Sequence, residues 1–388
     1  MLQSTIQKYD FIIAGMGASG LSLAIQLQKS KVNFSKILLI DKSLKNTNDR
    51  TWCFWTKENN AWYDPIIYKK WDHFEFKSNY YQNIFELKPY SYLMIRGIDF
   101  YKYCLDLLKK DARFEIKTEE IIDIKSENDY GILQTKNSYY SAKYIFNSVF
   151  RNNLINKNDI NFVQHFKGWV VETDDNSFDE NCPIFMDFRT QQYKDCRFFY
   201  IIPLSKKRAL VEYTGFSRSV LKVEEYEEKL KNYLEKTLNI SEYSILETEY
   251  GEIPMMESDF INPYGKCVIN IGTAGGSSKT STGYTFYFIQ KNTQDIVSKL
   301  EKNKEITDFK RSKKFKLYDS ILLNVMDNNS VPSDKLFTFL FQNNKITNML
   351  AFLNEETNIW KDIIIMKSVP KIAFLKSTFI KVKGLYDK

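Results

Sequence analysis

Histidine is nearly absent from this chain, with two residues among 388, His73 and His165. A catalytic triad built on histidine, or a metal site with several histidines, is therefore almost excluded, and acid–base chemistry falls to carboxylates or to a cofactor. Cysteine is also sparse: five are scattered without any C-x-x-C pair. That pattern is typical of a reducing cytoplasm and argues against a zinc site, so we expect no bound metal.

Long apolar segments are missing as well. No run approaches the roughly 18 uncharged apolar residues that a membrane-spanning helix needs. The first strand pattern begins within about ten residues of the N-terminus, which leaves no room for a signal peptide. We therefore predict a cytoplasmic protein of ordinary globular composition.

Acidic residues are outnumbered, which gives a net charge of +7. Lysines gather at 206–208 and 310–316, and a solvated surface is the simplest interpretation. The more specific alternative is attraction to an anionic membrane surface, which contributes about 1 kcal/mol of binding free energy per basic residue. Nucleic-acid binding is the least favoured, because no motif for it accompanies the charge.

Glycine is scarce, yet seven of the 14 lie in two short segments. The first, "GMGASG", follows the apolar strand "YDFIIA" and opens a helical pattern, and a second strand then ends at Asp41. This order predicts a Rossmann dinucleotide site, in which Gly15, Gly17 and Gly20 admit the pyrophosphate and Asp41 binds ribose hydroxyls.

The second glycine segment, "GTAGGSSKTSTG", contributes Gly272, Gly275 and Gly276. It also follows an apolar strand and precedes a long helical pattern, about 250 residues after the first segment. A late turn of this kind can contact the far end of an extended cofactor, which favours FAD over NAD.

The remaining patterns complete an α/β prediction: a Rossmann-type FAD-binding domain with an inserted antiparallel β-sheet substrate domain and C-terminal helices. The runs "CRFFYIIPL" and "RALVEYTGF" flank "SKK" and predict a hairpin in the inserted sheet. We assign 1–75, 96–155 and 262–300 to the cofactor domain, 76–95 and 156–261 to the substrate domain, and 301–388 to helices that cover a substrate tunnel and face a membrane.

Glu212 is out of place in its strand. Alternation puts it on one face with Leu210, Thr214 and Phe216, and neither face of the strand is charged. An ionised carboxylate there costs several kcal/mol unless it is paired or its pKa rises.

Aromatic residues are abundant, with 29 Phe and 25 Tyr, which suits a bulky core or a tunnel for a long apolar substrate. In the segment "NDRTWCFW", Arg50 is a candidate contact for phosphate or a carboxylate. Trp52 is a candidate lining residue of the flavin or substrate cavity, with packing in an aromatic core as the alternative.

Together, "YDFIIAGMGASGLSLAIQL", "DRTWCFW", "QHFKGWVVET", "LVEYT" and "GTAGGSSKTSTGYTF" resemble the bacterial lycopene beta-cyclases, flavoproteins of carotenoid biosynthesis. The resemblance extends to about residue 370 and implies a fold similar to flavoprotein hydroxylases and geranylgeranyl reductases. It implies closure of the acyclic ends of lycopene into beta-rings without net redox change, with FAD required in its reduced form and NAD(P)H as external reductant.

The resemblance also implies roles for particular residues. "LVEYT" matches the motif whose glutamate, here Glu212, is the family's acid or base, and whether it or the reduced flavin donates the first proton stays open. Glu252 and Glu257 in "GEIPMME" are secondary candidates, with structural salt bridges as the alternative. Where many related flavoproteins have Gly-Asp, this chain has Gly272-Thr273, which puts one expected cofactor contact in doubt. The expected substrate cavity comprises Trp52, Phe54, Tyr213, Thr214 and Tyr284.

Two other functions stay open on the sequence alone. One is a redox flavoenzyme of the same fold, a monooxygenase or a geranylgeranyl-type reductase acting on an apolar isoprenoid. The other is a non-catalytic flavin- or carotenoid-binding protein at a membrane, against which the buried acid argues. Because lycopene dissolves only in lipid, we expect peripheral association with the inner face of the cell membrane, whereas the oligomeric state is not indicated.

Overall fold

The computed structural model describes residues 6–150, 160–256 and 262–386. The strands are β1 Gln7–Ala14, β2 Ile37–Asp41, β3 Thr51–Thr56, β4 Lys69–Trp71, β5 His73–Lys77, β6 Gln82–Glu86, β7 Ser91–Arg96, β8 Phe114–Thr118, β9 Ile121–Glu127, β10 Tyr130–Thr135, β11 Tyr139–Asn147, β12 Ile160–Glu172, β13 Ile184–Asp187, β14 Cys196–Pro203, β15 Arg208–Ser217, β16 Ser244–Met256 and β17 Val268–Asn270. The helices are α1 Ala18–Lys29, α2 Gly97–Leu108, α3 Val223–Asn232, α4 Phe286–Glu301, α5 Lys313–Asp327, α6 Ser333–Gln342, α7 Ile346–Leu353, α8 Ile359–Met366 and α9 Lys371–Tyr386.

The first sheet is the Rossmann unit that the glycine motif predicts. Its strand order is β8-β2-β1-β11-β10-β9, and β17 pairs with β11. The strands β8, β2, β1, β11 and β17 run parallel, whereas β9 and β10 form an antiparallel hairpin at one edge. Because β1 and β17 both end on the side where their helices begin, the two glycine-rich turns meet at the carboxyl edge of this sheet.

The second sheet has the order β16-β12-β15-β14-β13-β5-β6 and is antiparallel apart from the β13–β5 pair. The predicted hairpin is present: β14 pairs with β15 in antiparallel register. The long strand β12 lies between β15 and β16 and pairs with both along most of its length. The predicted α/β fold with an inserted sheet and C-terminal helices is confirmed.

The C-terminal helices pack over one face of the second sheet through aromatic contacts. The rings of Phe76 and Phe341 stack with centroids 4.4 Å apart, and Phe188 and Phe337 stack at 5.1 Å. Both pairs belong to one buried cluster that joins the sheet to α5, α6 and α7. Much of the aromatic inventory thus forms a core. Within the described ranges, no helix is both long enough and apolar enough to cross a bilayer.

A buried ion cluster connects the second glycine-rich turn to these helices. Lys279 is 1% exposed, and its Nζ lies 2.7 Å from Oδ1 of Asp319 on α5 and 3.4 Å from Oε1 of Glu355. Arg311 pairs with the same two carboxylates, at 2.7 Å from Oδ2 of Asp319. Two positive and two negative charges therefore compensate each other away from water, and the turn is held against the helical cover.

Replacing Lys279 by Met should lower the free energy of unfolding by about 3–5 kcal/mol, because two carboxylates would keep only one cation in a buried place. Urea unfolding followed by tryptophan fluorescence measures the effect. The exposed Lys310→Met variant is the control and should change the value by no more than about 0.5 kcal/mol. Equal unfolding midpoints for the two variants would contradict the structural role of the cluster.

Candidate active site

Glu212 lies on the face of β15 that turns toward the C-terminal helices. Leu210 and Phe216 on the same face belong to the core shared with α5, α6 and α7, as the alternation predicts. Oγ1 of Thr214, on the same face, donates a hydrogen bond to Oε1 of Glu212 at 2.7 Å. The carboxyl group is thus positioned by its own strand and faces apolar surroundings.

A second carboxyl group meets Glu212 at this point. In the sheet register, Gly168 on β12 is paired with Glu212 on β15 and with Glu249 on β16. Because Gly168 has no side chain, the two glutamates reach across it and their carboxyl groups are hydrogen-bonded to each other. A Cβ built on Gly168 would lie 3.1 Å from Cγ of Glu249 and 2.9 Å from Cδ1 of Leu210. The absence of a side chain at Gly168 therefore leaves room for the side chains of the neighbouring strands.

The surroundings of the pair favour its protonated state over the doubly ionised one. Burial raises the pKa of Glu212 well above its ordinary value, and the charge of Glu249 raises it further. Burial also raises the pKa of Glu249, but hydrogen bonds from Glu212 and Thr51 and the charge of Arg50 oppose that rise. Oγ1 of Thr51 donates to Oε2 of Glu249 at 2.8 Å. The pKa of both carboxyl groups is raised, and that of Glu212 more strongly, so Glu212 is the one that more readily holds a proton.

Both carboxyl groups line a cavity of about 260 Å³ between the second sheet, the small sheet β3-β7-β4 and the second glycine-rich turn. Aromatic side chains form much of its wall, and these are Trp52, Tyr92, Phe166, Tyr200, Tyr284 and Phe286. Aromatic faces tolerate a neighbouring cation and exclude water. Such a cavity suits a reaction in which an apolar molecule briefly becomes positively charged.

A larger, more apolar cavity of about 370 Å³ lies beneath the C-terminal helices. Tyr284 lines both cavities, and its ring packs edge-on against Trp55 at a centroid distance of 4.8 Å. The outer end of the larger cavity is lined by Ile363, Met366 and Leu375, which are themselves exposed. The two cavities thus adjoin at Tyr284, with the carboxyl pair in the smaller one and exposed side chains of α8 and α9 lining the larger one.

The first glycine-rich turn has the geometry of a pyrophosphate cradle. Helix α1 begins after Gly17 without a side-chain cap, which leaves its first N–H groups available to an anion. A Cβ on Gly17 would meet nothing within 4 Å, whereas one on Gly20 would lie 2.0 Å from the carbonyl oxygen of Gly15. Asp41 is buried at the end of β2 and accepts a hydrogen bond from the backbone N–H of Met16 at 2.7 Å.

The second glycine-rich turn lies beside the first. Gly272 and Gly275 bound a short 3-10 helix, and Gly276 ends it with a φ of 73°. A Cβ on Gly272 would lie 2.9 Å from Cβ of Ser19 in α1, so the two turns touch. Among the described residues, the buried hydroxyl groups of Ser19 and Ser277 have no hydrogen-bond partner. Unpartnered hydroxyls at two adjoining turns fit the oxygen-rich middle of a dinucleotide cofactor.

The structure brings together part of the predicted set. Arg50, Trp52 and Tyr284 line the cavity with Glu212. Nη1 of Arg50 donates to the carbonyl oxygens of Asp49 and Tyr250, at 2.7 and 3.1 Å. Thr214 contacts the site through its bond to Glu212.

Two predicted cavity residues lie elsewhere. Phe54 is buried against Phe286, with centroids 4.6 Å apart, behind the wall of the cavity. Tyr213 points to the opposite face of β15, where it packs on Phe199 at 4.8 Å. Strand alternation places neighbours of Glu212 on the other side of the sheet, and this corrects the expected position of Tyr213.

The carboxyl group that lies next to Glu212 is that of Glu249, which the motifs did not indicate, and not that of Glu252. Glu252 is exposed at the mouth of the cavity, where its Oε1 accepts a hydrogen bond from the hydroxyl of Tyr250. Glu257 lies outside the described residues. Glu249, three residues before Glu252, is the carboxyl group that reaches Glu212. Its signal in the sequence was the glycine in "FKGWVV", which leaves room for two side chains from flanking strands.

Comparison with known proteins agrees with this geometry. A family model described as lycopene cyclase protein matches residues 10–378. The membership that the motifs predict is confirmed by a match of this extent.

Solved structures share the fold at low sequence identity. A flavoprotein/dehydrogenase from Cytophaga hutchinsonii superposes with a TM-score of 0.66 at 12% identity, covering 97% of this chain and 100% of that one. A geranylgeranyl bacteriochlorophyll reductase-like protein from Thermoplasma acidophilum gives 0.61 at 14%, covering 99% and 100%. A variant of the halogenase PltM in complex with FAD gives 0.55 at 13%, covering 88% and 78%.

Replacing Glu212 by Gln should remove part of the pH dependence of stability. The folded-state pKa of Glu212 is raised, so its stabilising contribution is complete below the unfolded value of about 4.3 and is lost as the pH rises toward the folded value. Between about pH 5 and pH 7, the variant should therefore gain stability relative to wild type, by up to about 1.4 kcal/mol per pH unit.

Urea unfolding at each pH measures this difference. Glu242→Gln is the control, since Glu242 is exposed just before β16 and should leave the slope unchanged. Parallel pH profiles for wild type and Glu212→Gln would show that the carboxyl group is ionised in the folded protein.

Proposed function

We propose, from the premise that this chain belongs to the lycopene cyclase family, that it closes the acyclic ends of lycopene into beta-rings, giving gamma- or beta-carotene. The observation that carries the proposal is the carboxyl group of Glu212, whose pKa burial raises, in an aromatic cavity that the second cofactor-type turn also lines. An intramolecular cyclisation needs a group that still carries a proton at neutral pH to give to an olefin, and surroundings that stabilise the cation and keep water from it. The raised pKa of Glu212 and the aromatic wall of the cavity support both requirements.

Glu212 is the proposed proton donor. Its proton goes to a terminal double bond of the polyene, which leaves a tertiary carbocation. The next double bond attacks that carbon and closes a six-membered ring, and loss of a ring proton forms the new double bond. No electrons are gained or lost overall, so the reaction is an isomerisation. The carboxylate left on Glu212 and the faces of Tyr92, Tyr200 and Tyr284 stabilise the intermediate positive charge.

We also propose that FAD is the cofactor, in its reduced form and with NAD(P)H as the external reductant. Gly15, Gly17, Gly20 and the α1 N-terminus would hold the pyrophosphate, and Asp41 a ribose. The turn at 272–276 and the hydroxyl groups of Ser19 and Ser277 would hold the part that follows. When bound, reduced flavin would supply negative charge and electron density that favour a nearby cation.

The substrate would enter from a membrane. On α8 and α9, large apolar side chains are exposed, led by Ile372 at 86%, Trp360 at 73%, Phe379 at 71% and Leu375 at 69%. Exposed lysines alternate with them, and these are Lys361, Lys367, Lys371, Lys376 and Lys383. We call this surface the α8–α9 face. The apolar side chains would insert among acyl chains, and the surrounding lysines would contact anionic headgroups. This combination suits peripheral binding to the inner leaflet.

The α8–α9 face also carries the entrance of the larger cavity, whose rim includes Lys367, Lys371 and Leu375. An apolar polyene can therefore pass from the acyl chains into the protein without crossing water. Its leading end would reach Tyr284 and then the carboxyl pair, while the rest stays in the larger cavity. This route supports lycopene and related acyclic carotenes as the substrate class.

Glu212→Gln should abolish ring formation and keep the bound flavin, because the amide preserves the shape but holds no acidic proton. Both proteins are expressed in a bacterial host that accumulates lycopene, and the carotenoids are separated by chromatography. Wild type should shift the pigment from red to orange, and the exposed Glu242→Gln variant should behave as wild type. Wild-type protein that instead consumes NAD(P)H in proportion to substrate, without rings, would indicate a reductase or monooxygenase of the same fold.

Replacing both Leu375 and Phe379 by Asp should weaken membrane binding at least tenfold, because each side chain gives up roughly 1.5–3 kcal/mol of apolar burial. Flotation with phosphatidylglycerol-containing vesicles measures it, and the exposed Ile84→Asp variant on β6 is the control. Wild-type protein that fails to float at low salt would overturn this part of the proposal. A change of oligomeric state without a change in flotation would instead mark the face as a contact between copies.

A further inference from the structure

We propose that Glu249 is a second catalytic carboxyl group, the base that takes up the proton which the closing ring releases. The inference rests on the proposed cyclisation and adds a residue to it. It follows from the placement of Glu249 directly across Gly168 from Glu212, in the wall of the same cavity.

An isomerisation that begins with protonation must also end with deprotonation. The carbon that gains a proton and the carbon that loses one belong to the same six-membered ring, so acid and base must lie within a few ångströms of each other. One carboxyl group can serve both purposes only if it moves or if the ring turns. Two carboxyl groups in contact on adjacent strands serve both without either movement.

The hydrogen bonds assign the two roles. Glu249 accepts from Oγ1 of Thr51 and lies in the field of Arg50, and both favour its ionised form. Glu212 accepts from Oγ1 of Thr214 and has no cation comparably placed among the contacts that shift its proton affinity. Before reaction, the single proton of the pair therefore resides on Glu212, and Glu249 is ready to accept another.

The cycle balances in protons and electrons. Glu212 transfers its proton to the terminal olefin, a carbon–carbon bond forms, and the ring C–H bond breaks as its proton passes to Glu249. The two electrons of that C–H bond become the new double bond. Transfer of the proton across the hydrogen bond from Glu249 to Glu212 then restores the starting state. While the cation exists, both carboxyl groups are ionised beside it, which stabilises it at the moment when stabilisation is needed.

Other titratable and charged groups face the pair from every neighbouring element. They are Arg50 just before β3, Cys53 on β3, Tyr92 on β7, Tyr200 on β14, Glu247 and Glu252 on β16, and Tyr284 after the second turn. Burial raises the pKa of the Cys53 thiol and of the phenols of Tyr92, Tyr200 and Tyr284, so these groups stay neutral near neutral pH. The pH response of the site therefore belongs to the two glutamates.

The test compares Glu249→Gln with Glu212→Gln in flavin-loaded, reduced protein, supplied with lycopene in vesicles made up in D2O. Glu249→Gln should cyclise about 10²–10⁴ times more slowly than wild type. It still holds the acid on Glu212, so protonation and its reversal continue, and recovered lycopene should carry deuterium at its ends. Glu212→Gln should show neither rings nor deuterium. Glu242→Gln, at an exposed position just before β16, should match wild type.

Each outcome separates the inference from the function on which it rests. A Glu249→Gln variant with the wild-type rate, or an inactive one whose recovered lycopene carries no deuterium, overturns the role of Glu249. Wild-type protein that forms no rings overturns the proposed function itself.

Thr51→Val provides a second variant if Glu249→Gln does not fold. It removes the hydrogen bond to Glu249 and should raise the pKa of that carboxyl group. The rate should then reach its half-maximum at a higher pH than in wild type, because the base must be ionised to act. An unshifted pH–rate profile would contradict the assignment of Glu249 as the base.

Discussion

The site depends on two carboxyl groups that share one desolvated position. Gly168 leaves room for that arrangement, since a Cβ there would press on the side chains of Glu249 and Leu210. A second negative charge on the pair is costly in such a place, so the pair favours keeping a proton, which the proposed reaction would use when it forms a cation. Water access to the pair is limited by the aromatic wall of the cavity, by the C-terminal helices that cover it and by the cofactor-type turns beside it.

The parts of the fold that can be predicted from the sequence are those determined by residues close together in the chain. The strand–turn–helix of "GMGASG" and the β14–β15 hairpin both depend on residues close together in the chain, and both form as expected. The orientation of Glu212 is likewise local, because period-two alternation decides which face of a strand a residue occupies. The same rule, applied strictly, puts Tyr213 on the opposite face from Glu212.

Glu249 was not found from the sequence because its role depends on register between distant strands. Nothing in "ETEYGEIP" shows that Glu249, and not Glu252, lies level with Gly168. A shift of three residues exchanges a half-buried carboxyl group for an exposed one. The buried state of Lys279 was similarly hidden, since its partners Asp319 and Glu355 are far along the chain. The apolar stripes of α8 and α9 indicate amphipathic helices, but not which stripe stays uncovered.

The position of the larger cavity's entrance has a consequence for how turnover would be governed. With the α8–α9 face bound to a bilayer, the enzyme would meet its substrate by diffusion within the membrane. Its rate would then depend on the density of carotene in the membrane rather than on a bulk concentration. A cyclised product, wider at its end than the acyclic chain, would have to withdraw past Tyr284 by the same path. Converting the second end of one molecule would then require that molecule to leave, reverse in the lipid and return, so that one-ring intermediates accumulate whenever fresh substrate competes for the entrance.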